Sequence, residues 1–132
     1  MKNKKMTESI KNVVVVGAGG MGALFGSILA EGGLDVTLVD NDREHVDAIR
    51  KSGLHISGLG GERHQQIRAE YDAGAVATAD IVLFQCKGTA TFDAAKALAH
   101  LAGTGAIFVS FQNGLGNEDI LAAHFGIENV FG

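Results

Sequence analysis

Apolar residues fall along this chain in two alternating patterns: short runs without polar interruption, and longer segments in which they recur every three or four positions. The first run, Val13-Val14-Val15-Val16, is β-branched throughout. It predicts a strand over Asn12 to Gly17 that is covered on both faces, as parallel strands flanked by crossover helices are. Gly20 to Glu31 follows with Met21, Leu24, Phe25, Ile28 and Leu29 at helical spacing, a single stripe expected to lie on a sheet. Gly32-Gly33 then stops the helix, supplying a residue able to take positive φ at its C-terminal end. A second strand is expected over Asp35 to Asp40 and a second helix over Asp42 to Ser52, with Val46 and Ile49 buried. Asn41 and Glu44 have the spacing of a capping box at its start.

From Leu54 to Tyr71 the pattern breaks into short alternating pieces, Leu54-His55-Ile56 and Gln66-Ile67-Arg68, separated by Gly58, Gly60 and Gly61. These predict a peripheral β-hairpin. Ala79 to Cys86 is another buried-type strand, Thr91 to Leu101 an alanine-rich helix, Ala106 to Phe111 a strand and Asn117 to Phe125 a helix. Val130-Phe131 reads as a strand just starting. This alternation defines an α/β fold with a doubly wound, mostly parallel sheet over residues 10–132, preceded by a disordered tail at 1–9 that carries Lys2, Lys4 and Lys5.

Chemistry enters at the end of the first strand, where Gly17-Ala18-Gly19-Gly20-Met21-Gly22 has the spacing G-x-G-x-x-G. Nineteen glycines make such a match cheap by itself. The strand before it, the helix after it and Asp40 at the end of the second strand supply the context of a Rossmann-type dinucleotide-binding turn. In that reading Gly17 permits the tight turn, Gly19 lets backbone N–H groups approach a pyrophosphate and Gly22 allows close packing of helix on strand. Asp40 would accept hydrogen bonds from an adenosine ribose, which favours NAD(H) over NADP(H). A 2′-phosphate beside it would meet like charge, about 4 kcal/mol for one pair at 4 Å and an effective dielectric near 20, unless Arg43 acted as counter-ion.

Two further segments follow strands and so belong at the same carboxyl edge: Cys86-Lys87-Gly88 and Gln112-Asn113-Gly114. Lys87 could hold a carboxylate or hydrogen-bond a carbonyl oxygen, and equally could be a solvated lysine. Asn113 could orient a ligand without adding charge, or cap a turn. Cys86 reads as a small buried strand residue rather than a nucleophile, because no histidine is placed to activate it. The five histidines share no close ligand spacing, so a metal site is not expected.

Composition narrows the partners. Eleven basic against fifteen acidic residues give a net charge of -4, with no positive field for nucleic acid or an anionic membrane. No apolar run approaches the roughly 20 residues that span a bilayer, and the single cysteine agrees with a reducing, cytoplasmic setting.

Taken together, the glycine loop, Lys87 and the segment Gln112-Asn113-Gly114-Leu115-Gly116-Asn117-Glu118 resemble the N-terminal domain of the 2-dehydropantoate 2-reductase (ketopantoate reductase) family. The resemblance runs from about Asn12 to Gly132, and its second motif is far more specific than the glycine loop. It implies NADP(H) as cofactor, reduction of a 2-keto acid in pantothenate biosynthesis, and Lys87 and Asn113 near the nicotinamide and substrate. It also implies that the family's principal catalytic lysine and a substrate-binding glutamate lie in a helical C-terminal domain outside this chain. On that basis the chain is expected to be a truncated form that binds cofactor with little turnover alone, and that self-associates through apolar surface near Val130 and Phe131. Asp40 departs from the family's preference for a basic or neutral residue and points to NAD(H). A stand-alone nucleotide-sensing module and a fragment of an NAD-dependent 2-hydroxyacid dehydrogenase are the alternative readings, and a methyltransferase is a third, weakened by the G-x-G-x-x-G spacing and the later lysine and asparagine motifs.

Overall fold

A computed structural model describes residues 10–58, 61–86, 88–111 and 116–132. Within them eight strands and four α-helices alternate: β1 (Asn12–Val16), α1 (Gly20–Glu31), β2 (Asp35–Val39), α2 (Arg43–Ser52), β3 (Leu54–Ile56), β4 (Arg63–Gln65), β5 (Arg68–Glu70), β6 (Ile81–Phe84), α3 (Gly88–Ala97), β7 (Ile107–Ser110), α4 (Asn117–Phe125) and β8 (Val130–Phe131). Six of the strands form one sheet in the order β5-β2-β1-β6-β7-β8, every pair parallel. The strand order reverses between β1 and β6, the point at which doubly wound sheets open a crevice at their carboxyl edge. The expected tail at 1–9 lies outside the described residues.

The unbroken valine run has a direct structural cause. Val14 and Val16 enter a core with Val82, Phe84, Leu98, Phe108, Leu121 and Phe125, while Val13 and Val15 enter a second core with Val36, Leu38, Val46 and Ile49. Alternate side chains of one central strand therefore fill both sides of the sheet. The N-terminal end of β1 is held by Asp80, whose Oδ2 accepts the backbone N–H groups of Lys11 and Asn12 at 2.9 Å each.

Helix α1 does not present its large apolar stripe to the sheet. Its buried residues are Gly22, Ala23, Gly26 and Ser27, whereas Met21 and Ile28 are 58% and 46% exposed. Proximity explains the inversion. A Cβ at Gly22 would stand 1.8 Å from the Gly17 carbonyl oxygen, and one at Gly26 would stand 2.7 Å from Leu38 Cδ2. Leu24 and Phe25 take half-buried flanking positions, and Leu29 packs partly against the core.

Three local expectations also change. Asp42, not Asn41, caps α2, its side chain accepting the His45 backbone N–H at 3.3 Å. The hairpin exists, but β3 pairs antiparallel with Arg63–Gln65, three residues earlier than the Gln66-Ile67-Arg68 segment the sequence pattern suggested. Arg68–Glu70 instead joins the main sheet beside β2, because Ala69 contributes an apolar side chain to the second core. Helix α3 begins at Gly88 rather than Thr91, and Ala99–Leu101 is a separate 3₁₀ turn. At the C-terminal end Phe131 is 49% exposed and Val130 half-buried.

Candidate functional site

The glycine loop turns sharply at Gly17, whose φ of 101° lies in the region that disfavours side chains. It crosses the end of β6 so closely that a Cβ at Gly17 would lie 2.6 Å from the Cys86 backbone nitrogen. Gly22 packs against the same turn, while nothing stands within 4 Å of the position a Cβ would take on Gly19. Gly17 and Gly22 are thus required by protein contacts, whereas Gly19 faces open space. That space belongs to a cleft of about 580 Å³, within the usual range of small-molecule sites, lined by the loop, Asp40, Tyr71, Asp72, Gln85, Cys86 and Asp93 among others.

The loop's shape is imposed from the β2–α2 connection. Gly17 N–H donates to the Val39 carbonyl at 2.7 Å, and Ala18 N–H donates to Asp40 Oδ2 at 2.8 Å. The other Asp40 oxygen accepts Asp42 N–H at 2.9 Å. Two charge-assisted bonds to backbone therefore fix the carboxylate in the cleft wall, and an ionised carboxylate retains further acceptor capacity. On the opposite side of Ala18, its carbonyl oxygen lies 2.7 Å from His45 Nε2. A carbonyl can only accept, so this nitrogen carries the proton and donates.

Arg43 does not stand beside Asp40 as a counter-ion. Its guanidinium lies 4.6 Å from the centre of the Tyr71 ring, with Arg50 at 4.4 Å from the same ring. Tyr71 donates its hydroxyl to Asp47, and this hydrogen bond raises the phenol's pKa above its ordinary value. Among the described residues that line the cleft none is basic, and Asp40, Asp72 and Asp93 are acidic.

Cys86 sits half-buried just past β6 and lines the cleft. Burial pushes its thiol up from the ordinary range, with the Thr91 hydroxyl partly offsetting the effect. Thr91 also donates to Asn117 Oδ1 at 3.4 Å, a contact between two buried side chains that ties the first turns of α3 and α4 together. Asn117 of the second sequence motif is thereby a structural support at the start of α4. Lys87 and Asn113 lie outside the described residues. Met21, though within the glycine motif, projects to solvent, so its contribution to the loop is its backbone.

Sequence reasoning missed His45, Tyr71, Asp72 and Asp93. Tyr71 and Asp72 would have been found had β5 been placed in the main sheet, since residues following a parallel strand sit at its carboxyl edge. His45 had no readable signal beyond its position five residues after Asp40. Among the described residues no group of three or more histidine, cysteine, aspartate or glutamate side chains could hold a metal ion, and no helix is long and apolar enough to cross a membrane.

The sheet order, the glycine turn at its switch point and the acid at the end of β2 define a Rossmann-type domain. The family model described as "Ketopantoate reductase PanE/ApbA" matches residues 13–132, and this chain belongs to that family. A 2-dehydropantoate 2-reductase of Halobacterium salinarum is 38% identical over 119 residues, which cover 89% of this chain and 39% of the relative. Among solved structures, a PanE/ApbA family ketopantoate reductase from Ralstonia eutropha superposes with a TM-score of 0.80 at 35% identity, over 87% of this chain and 38% of that one. D-mandelate dehydrogenase, solved with NADH and anilino(oxo)acetate, superposes with a TM-score of 0.84 at 26% identity, over 92% of this chain and 40% of its own. The chain thus spans about two-fifths of the length of these relatives.

Proposed function

We propose that this chain is the cofactor-binding part of an oxidoreductase that reduces a 2-keto acid, 2-dehydropantoate by family membership, with a nicotinamide dinucleotide. The observation that carries the reading is the division of labour among the loop glycines. Gly17 and Gly22 are filled by protein, while Gly19 opens onto the cleft and leaves backbone free to approach a pyrophosphate. The orphan N–H groups of Gly20, Met21 and Gly22 at the start of α1, and the positive end of its dipole, favour an anion at the same place.

The dinucleotide supplies hydride when bound. Asp40 receives the adenosine ribose hydroxyls, and the acidic side chains that line the cleft among the described residues disfavour a 2′-phosphate. We therefore assign NAD(H) as the preferred cofactor, which accords with the likeness to D-mandelate dehydrogenase solved with NADH. By resemblance to the family, Lys87 hydrogen-bonds the ketone oxygen and Asn113 orients the substrate or the nicotinamide amide. The likeness to that dehydrogenase favours as second reading a substrate within the 2-keto acid class other than 2-dehydropantoate.

Calorimetric titration with NADH, NADPH and S-adenosylmethionine tests both layers. NADH is expected to bind most tightly, and Asp40→Ala to weaken it. Preference for NADPH would overturn the use of Asp40, and preference for S-adenosylmethionine would overturn the oxidoreductase reading.

A further inference from the structure

His45 has no place in the reading above, yet it makes one of the shortest polar contacts to the glycine loop. Its ring is half-buried on α2, the Nε2–H reaches the Ala18 carbonyl at 2.7 Å, and Asp40 holds the N–H of the same residue. We propose that His45 is a positioning residue for the cofactor's diphosphate, acting through the orientation of the Ala18–Gly19 peptide. This inference rests on the cleft being a dinucleotide site.

The argument is one of peptide geometry. Among the described residues no peptide bond is cis. In a trans peptide the C=O and N–H point in opposite directions in one plane. Fixing the Ala18 oxygen toward His45 therefore turns the Gly19 N–H away from α2. Gly19 lines the cleft, and it is the residue beside which a Cβ would meet nothing. Its N–H then adds a donor to those of Gly20 and Met21 at the helix start, a cluster suited to a phosphate.

Without His45 the peptide has little to hold it. Gly19 observes φ −73° here, but glycine accepts positive φ at no steric cost, so the Ala18–Gly19 plane can flip. The flipped peptide would point the Ala18 oxygen into the cleft, where it repels the diphosphate. Asp40 cannot prevent this, because it holds the preceding peptide, through the Ala18 N–H.

The test compares His45→Ala and His45→Gln with the unaltered chain, using NADH, adenosine and inorganic pyrophosphate as probes in calorimetry. A single hydrogen bond of this kind predicts a loss of about 3- to 10-fold in NADH and pyrophosphate affinity for His45→Ala. Adenosine, which lacks the diphosphate, should bind unchanged. His45→Gln, whose amide N–H can reach the same oxygen, should restore most of the loss. The ¹⁵N shift of Gly19, recorded without ligand, should move in His45→Ala and return in His45→Gln.

Equal NADH affinity in all three proteins would overturn the proposal, as would an equal loss for adenosine and NADH. Should His45→Ala fold poorly, the Gln variant and the Gly19 resonance decide the matter. Failure of the unaltered chain to bind NADH, NADPH or pyrophosphate would instead overturn the cofactor reading itself.

Discussion

Replacing Gly22 with alanine separates packing from binding, because the added methyl group meets backbone. The new Cβ would stand 1.8 Å from the Gly17 carbonyl oxygen, about 1.6 Å short of the 3.4 Å at which ordinary contact begins. A side chain in the way could rotate aside, and overpacking of that kind costs about 1–3 kcal/mol. A carbonyl inside a turn held by Gly17 N–H to Val39 cannot, so α1 must lift from the loop or the turn must open. The cost should reach the top of that range, about 3 kcal/mol, against a total stability of about 5–15 kcal/mol for a domain. In melting temperature this is on the order of 10 °C for a chain of this size. Gly19→Ala is the matched control. Its Cβ meets nothing within 4 Å and its φ of −73° suits any residue, so it should cost under about 1 kcal/mol, the difference between glycine and alanine at a helix N-cap. Its methyl group nevertheless occupies the surface proposed above for a pyrophosphate. Urea denaturation with parallel NADH titration should show Gly22→Ala strongly destabilised, and Gly19→Ala nearly as stable as the parent but at least several-fold weaker in binding. A Gly22→Ala protein of parental stability would refute the packing argument, and a Gly19→Ala protein of parental affinity would refute the role assigned to the open side of the loop.

Two other outcomes are expected. Cys86 is the single cysteine, lines the cleft and has a thiol raised by burial, so its alkylation near neutral pH should be slower than that of a free thiol, should accelerate as pH rises through the elevated value, and should slow further with saturating NADH. An alkylation rate indifferent to NADH would place the ligand elsewhere. Asp80→Ala leaves the Lys11 and Asn12 amides without their shared acceptor and should cost about 1–3 kcal/mol in urea denaturation with no change in the NADH affinity of the folded protein; a loss of affinity would show that the site senses the far end of β1.

Much of this architecture was legible because the strands that build it are buried on both faces. Val13 to Val16 must be apolar at every position, and that leaves an unmistakable run. Helix α1 has exact bounds in the sequence but the wrong buried face, since periodicity weighs residues by hydrophobicity and not by the room available. Where the glycine turn brings the helix within contact of Gly17 and Leu38, smallness decides, and the larger Met21 and Ile28 are left outside. The edge strand β5 is the complementary failure. Three residues with one apolar side chain, Ala69, carry almost no periodic signal, yet pairing with β2 sets Tyr71 and Asp72 on the cleft.

The same distinction governs the site. Residues proposed to meet ligand through backbone, such as Gly19, announce themselves by being glycine at a fixed spacing. Residues that shape that backbone from another element, such as His45 through Ala18, announce nothing, because a hydrogen bond from α2 to the loop obeys no sequence period. Asp40 lies between these cases. Its position marked it as a ribose ligand, but the two amides it accepts make it first a part of the loop's frame. Exchanging Asp40 to change cofactor preference would therefore disturb the phosphate loop as well. A cleaner route leaves Asp40 in place and frees Arg43 by removing the Tyr71 ring beneath it, which tests whether the hold of Tyr71 on Arg43, rather than the presence of the acid, keeps a 2′-phosphate out.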